Sequence, residues 1–120
     1  MIYSVNTENF ALVAPENRLI FKQARPATQY LLLCTATWCP HCQRLMQVVH
    51  EIDKQLNGRF TFLQAEQTDP KTRSLMTELD VQGYPTMFFI AEDGFVERNQ
   101  VKVERTVSGI INLLYERAAL

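Results

Sequence analysis

Gln29-Tyr30-Leu31-Leu32-Leu33-Cys34-Thr35-Ala36-Thr37-Trp38-Cys39-Pro40-His41-Cys42 is the stretch on which the fold turns. Its first part, Gln29 to Thr37, carries no charge and is rich in Leu, Thr and Tyr, the composition of a strand buried on both faces, as in parallel α/β sheets. That strand runs directly into Trp38 and Cys39. From Pro40 onward Leu45, Met46, Val48, Val49, Ile52 and Leu56 recur at helical spacing, with Arg44, Gln47, Glu51 and Lys54 between them. Pro40 suits the first helical position and Asn57-Gly58 the end, so a helix is predicted over 40–57.

Working outward from this unit, Phe60 to Ala65 alternates as a strand does, and Asp69-Pro70 opens a helix running to Leu79 with Asp69 as N-cap. Gly83-Tyr84-Pro85 breaks the chain before the apolar strand Thr86-Met87-Phe88-Phe89-Ile90. Glu92-Asp93-Gly94 is a hairpin turn signal leading into Phe95-Val96 and Val101 to Val103. An amphipathic helix over 106–118 closes the chain, with Val107, Ile110, Ile111, Leu113 and Leu114 as its apolar side. On the other flank, Ile2 to Val5 reads as a short strand and Thr7 to Val13 as a helical turn or two ended near Pro15. Glu16 to Arg25 reads either as a helix or as an irregular strand, closed by Pro26. The whole is α/β, with 1–120 as one domain.

Composition agrees with one core: of 120 residues 47% are hydrophobic, and 7 Phe, 4 Tyr and 1 Trp supply bulk for it. Lys plus Arg number 12 against Asp plus Glu 13, a net charge of -1, so no basic field exists to attract nucleic acid or an anionic membrane. The longest apolar run, Tyr30 to Cys34, is strand length and too short for a bilayer. Met1-Ile2-Tyr3-Ser4-Val5-Asn6 has neither the positive n-region nor the apolar h-region of a signal peptide. A cytoplasmic setting is therefore expected, or a periplasmic or secretory one had a signal been trimmed. A protein or a small thiol is the expected partner.

Three cysteines are an odd number in a chain too large to need stapling, which leaves redox chemistry or metal binding for the Cys39/Cys42 pair. A structural zinc site takes four ligands, and beyond the pair only Cys34, His41 and His50 are on offer. Cys34 falls in the buried strand and His50 on the solvated side of the helix, so no metal is expected. A Cys-x-x-Cys pair at a strand-to-helix junction puts its first thiol over free backbone N–H groups at the positive helix end. Such thiols have pKa values of roughly 3.5–7.5 in place of about 8.5. Cys39 is thus the expected nucleophile and Cys42, one turn on, the resolving thiol of a mixed-disulfide cycle. Pro40 starts the helix and holds the pair rigid, and a protonated His41 would add a cation beside the Cys39 thiolate.

Three segments together resemble the thioredoxin superfamily. They are Ala36-Thr37-Trp38-Cys39-Pro40-His41-Cys42 after a buried strand, Val81-Gln82-Gly83-Tyr84-Pro85-Thr86 before another, and a final amphipathic helix with Gly109 near its start. The likeness covers Gln29 to Leu120. It implies a thioredoxin fold, a central mixed β-sheet flanked by helices. It also implies that Pro85 is a cis-proline facing the sulfurs, and that the Tyr84 backbone pairs with an extended substrate. Trp38 would line the same apolar surface, with Thr86 completing the substrate-binding segment.

Two departures bear on mechanism. Thioredoxins carry a buried Asp where this chain has Leu33, so deprotonation of Cys42 falls to water or another group, with Glu66 a candidate. Pro-His between the cysteines is similar to bacterial periplasmic disulfide oxidases, whose large inserted helical domain has no room here, and Gly-Tyr-Pro-Thr is similar to a protein disulfide isomerase domain. The resemblance implies a thiol–disulfide oxidoreductase, a monomer without bound cofactor. It would act on protein disulfides or dithiols, with electrons exchanged through a thioredoxin-reductase-like partner or glutathione. A peptide-binding or chaperone module with an idle dithiol is the alternative. A glutaredoxin-like enzyme is disfavoured, since that family has Pro-Tyr between its cysteines.

Overall fold

The computed structural model describes residues 1–120. In chain order the elements are β1 (Ile2–Ser4), a 3-10 turn at Thr7–Asn9, β2 (Phe10–Val13), β3 (Arg18–Phe21), β4 (Tyr30–Thr35) and α1 (Pro40–Gln55). They continue with β5 (Thr61–Glu66), a 3-10 turn at Pro70–Thr72, α2 (Arg73–Glu78), β6 (Thr86–Ile90) and α3 (Val107–Glu116). Four strands form one mixed sheet in the order β1-β5-β4-β6. β4 lies at its centre, parallel to β5 with Leu32 opposite Leu63 and antiparallel to β6 with Leu33 opposite Met87. Parallel neighbours need a crossover, and α1 provides it between β4 and β5.

All six residues of β4 are buried, because both faces of the sheet are covered. Alternation along each strand divides the apolar residues between two layers. Leu31, Leu33, Phe62, Met87 and Phe89 face Leu45, Val49 and Ile52 of α1 and Ile110 and Leu114 of α3. Leu32, Leu63, Phe88 and Ile90 face Leu75, Met76 and Leu79 on the other side, together with Phe10, Leu19 and Phe21. No helix is long and apolar enough to cross a membrane.

In the first 25 residues the strand at Ile2–Ser4 and the strand reading of the Glu16 to Arg25 segment agree with expectation, and the helical turn over Thr7 to Val13 does not extend as expected. Asn6 caps the Glu8 N–H and Asn9 caps the Asn6 N–H, which closes the helical turn after three residues. Phe10 to Val13 is then extended and pairs antiparallel with Arg18 to Phe21, Phe10 opposite Phe21 and Val13 opposite Arg18. The hairpin lays Phe10 and Phe21 onto the sheet, where Phe21 meets Tyr30 edge-on at 5.2 Å between ring centroids. In so short a segment period 2 and period 3.6 are indistinguishable, and packing on the sheet selects the strand.

Two further expectations are revised. The helix foreseen from Pro70 to Leu79 is divided, since the Thr72 hydroxyl lies 2.8 Å from the carbonyls of both Glu66 and Asp69 and tightens the first turn. Beyond the turn at Gly94, Phe95 and Val96 make only single bridges, to Ile20 and Ile90, and Val101 to Val103 is not a strand. Arg98 ties the segment to α2 and the β2–β3 turn by donating to Glu78 and to the Asn17 carbonyl, and at Val101 the N–H reaches the Met87 carbonyl at 2.8 Å.

α3 begins where Thr106 accepts the Gly109 N–H at 3.0 Å. A Cβ at Gly109 would overlap the Glu104 carbonyl oxygen and press on the Thr106 hydroxyl. Gly109→Ala is therefore expected to destabilise the protein by about 1–3 kcal/mol, read as a lower urea midpoint at unchanged m-value.

Candidate active site

Cys39 is the N-cap residue of α1. An N-cap position is ordinarily filled by an oxygen-bearing side chain that accepts the N–H groups of the second and third helical residues. Here it is a cysteine, whose sulfur closes no capping hydrogen bond while the Cys42 and His41 N–H groups favour its thiolate. Pro40 occupies the first helical position, where its missing N–H leaves nothing unsatisfied. The Cys39 N–H closes a turn onto the Ala36 carbonyl at 3.0 Å, so the chain leaves β4 and enters α1 through one tight bend. Cys42 follows on the same turn, and its sulfur accepts the Ala36 N–H at 3.4 Å.

The two thiols are free and differ in their surroundings. Cys39 is held below the usual thiol range, first by the Cys42 backbone N–H; burial opposes this, and the Cys42 thiol, the His41 N–H and the Arg44 charge assist. Cys42 is pushed up to about 11, chiefly by burial. Leu33, fully buried against Leu45 and Met87, offers it no acceptor. Cys34 is pushed up to about 12 by burial alone among the apolar residues of the opposite layer. Of the three sulfurs Cys39 is the most accessible, though only 5% exposed.

The rim is built from three loops. Tyr84 presents its carbonyl 3.6 Å from the Cys39 sulfur, and the Tyr84–Pro85 peptide is cis. Trp38 is 65% exposed, its indole edge-on to the Tyr84 ring at 6.2 Å and its Nε1–H donating to Gln67 at 3.2 Å. Thr86 is buried and turns its hydroxyl to the Gly83 carbonyl at 2.6 Å, which places it beneath the rim, bracing the turn. The structure thus gathers Trp38, Cys39, Pro40, Cys42, Tyr84 and Pro85 at one end of the sheet.

His41 is exposed. Arg44 Nη2 lies 2.6 Å from its Nδ1. A guanidinium only donates, so Nδ1 accepts, and the fixed positive charge acting on Cys39 is that of Arg44. His41 contributes its backbone N–H.

Glu66 stands at the end of β5, opposite Thr35 in the sheet register. Its carboxylate accepts the Thr37 N–H at 2.8 Å and the Thr35 hydroxyl at 3.1 Å, holding the loop that carries Trp38 and Cys39. No hydrogen bond joins it to Cys42; its charge acts through space and helps to raise that thiol. Arg44 and Gln67 were not singled out in the sequence. Gln67 was legible in principle, because the carboxyl ends of neighbouring parallel strands abut, so the residues following β5 come beside those following β4. No three His, Cys, Asp or Glu side chains converge as metal ligands.

Residues 12–116 match the family described as Thioredoxin. The chain is 31% identical over 97 residues to a protein disulfide-isomerase of Zea mays and 30% identical over 95 residues to one of Triticum aestivum. These alignments cover 79% and 78% of this chain but only 18% of each relative's length, so the chain spans about a fifth of the curated relatives it matches. Among solved structures, the zinc-bound form of human ERp44 superposes with a TM-score of 0.74 at 17% identity, over 97% of this chain and 32% of that one. Chlamydomonas reinhardtii thioredoxin f2 gives 0.65 at 12% identity, over 100% of this chain and 99% of that one.

Brief alkylation of the reduced protein at pH 8 should modify Cys39 ahead of Cys42, because the Cys39 thiol is held below the usual range and the Cys42 thiol above it; raising the pH toward 11 should bring in Cys42, as mass spectrometry will show. Glu66→Gln removes a negative charge that opposes the Cys42 thiolate, so Cys42 should become reactive at lower pH than in the parent.

Proposed function

The chain belongs to the thioredoxin family, and on that premise we propose that it is a thiol–disulfide oxidoreductase acting on protein disulfides through Cys39 and Cys42. The observation that carries the reading is the placement of Cys39 as the N-cap residue of α1, its thiol held below the usual range chiefly by the Cys42 backbone N–H, with a second thiol one turn away.

The cycle balances as follows. The Cys39 thiolate attacks one sulfur of a substrate disulfide, forming a new S–S bond and releasing the other substrate sulfur as a thiolate that takes up a proton. Cys42, losing its proton, attacks the Cys39 sulfur of the mixed disulfide and expels the second substrate thiolate. The substrate has gained two electrons and the protein carries a Cys39–Cys42 disulfide, which a reductase of the thioredoxin-reductase type or glutathione would reduce again. Run backwards, the same steps oxidise a substrate dithiol.

Binding falls to the rim. An extended segment laid along Tyr84 and Pro85 would bring its sulfur to Cys39 beneath the exposed indole of Trp38. With Leu33 in place of a carboxylate, the Cys42 proton leaves through water or by way of Glu66, which makes its departure the demanding step at neutral pH. A peptide-binding module with an idle dithiol is favoured by one feature, the exposure of Trp38.

Cys39→Ser should abolish thiol-dependent reduction of insulin disulfides, whereas Cys42→Ser should still attack and accumulate a mixed disulfide visible on a non-reducing gel. Retained reduction in Cys39→Ser would refute the assignment, and peptide binding without reduction in the parent protein would establish the idle-dithiol module.

A further inference from the structure

Beside the dithiol an open cleft of about 670 Å³ runs from Tyr84, Pro85 and Thr86 to the segment that leads into α3. One end of the cleft is lined by Tyr84, whose carbonyl lies 3.6 Å from the Cys39 sulfur, so the cleft adjoins the dithiol without including it. Gly83 leaves the approach open: a Cβ there would touch nothing within 4 Å.

The lining carries three cations, Arg98, Lys102 and Arg105, against one acid, Asp80. Arg98 is already neutralised by the Glu78 carboxylate at 2.8 Å and also donates to the Asn17 carbonyl. Asp80 accepts from the Gln82 amide and has no ion-pair partner. Lys102 and Arg105 are exposed and make no ion pair, and Glu104 between them is not on the cleft wall. Positive charge is thus concentrated on this wall of a chain whose net charge is -1.

We propose that Lys102 and Arg105 make the cleft selective for client polypeptide segments that carry Asp or Glu near the reactive cysteine. The inference rests on the oxidoreductase reading and adds the client class to it. A chain presenting its sulfur to Cys39 and continuing along the cleft passes both cations, and a carboxylate at either point gains an attraction that a lysine would turn into repulsion. Charges at an exposed rim act mainly on encounter and are screened by salt, the Debye length being about 8 Å at 0.15 M.

The test uses two peptide disulfides of the same length, one with Glu and one with Lys flanking the cysteines, and hydroxyethyl disulfide as a neutral reference too small to span the cleft. At low salt the Glu peptide should be reduced with kcat/KM about 5-fold above the Lys peptide, the ratio shrinking as salt is added. In a Lys102→Gln, Arg105→Gln double variant it should fall toward one. A ratio near one in the parent protein, or an undiminished ratio in the variant, overturns the proposal. Failure to turn over even hydroxyethyl disulfide would count against the dithiol chemistry instead. The charge preference is then decided by titrating Trp38 fluorescence with serine versions of both peptides: tighter binding of the Glu form sustains it and equal binding overturns it.

Discussion

The site depends on one constraint, that the residue capping α1 is a cysteine. A helix start leaves N–H groups without intrahelical partners, and the residue before Pro40 is the one placed to receive them. With Ser or Asp there, the result would be an ordinary cap. With Cys39 the sulfur makes no capping hydrogen bond, and the nearby helix N–H groups instead favour its thiolate. Cys42 is carried by the next helical residues and falls where burial keeps its proton.

Holding that cap in place is the task of the sheet. β4 is buried on both faces and cannot shift without exposing Leu31, Leu32 and Leu33, and its end fixes where α1 begins. Glu66, at the matching end of β5, grips the Thr35 hydroxyl and the Thr37 N–H on the loop between them. Tyr84 and Pro85 come from the start of β6, on the other side of β4. The three loops converge because their strands are neighbours in the sheet, which is why residues far apart in the chain form one rim.

Electrostatics at the site is asymmetric. Cys39 sits among N–H groups and near the Arg44 guanidinium, whereas Cys42 sits among apolar neighbours with the Glu66 charge beyond them. The first sulfur is thus the one favoured as a thiolate, and the second keeps its proton. Leu33, apolar and fully buried, offers no group to take the Cys42 proton.

The sequence by itself determined the central unit: an uncharged run from Gln29, a helix opened by Pro40 with two cysteines on its first turn, and an apolar strand after Tyr84-Pro85. Each is a local pattern whose period or breaker survives in any context. Tertiary structure decided the rest. The segment Phe10 to Val13 became a strand only because Arg18 to Phe21 pairs with it and both pack on β4 and its neighbours. Arg44 came to stand beside His41 near Cys39 because two exposed side chains one turn apart meet in space, a choice of rotamers that spacing does not encode. Glu66 gained its grip on Thr37 from strand register, and Lys102 and Arg105 line the cleft because the segment between Arg98, tied to Glu78, and α3 passes along it. Covalent order specifies which groups are available, and packing between distant segments specifies which of them meet.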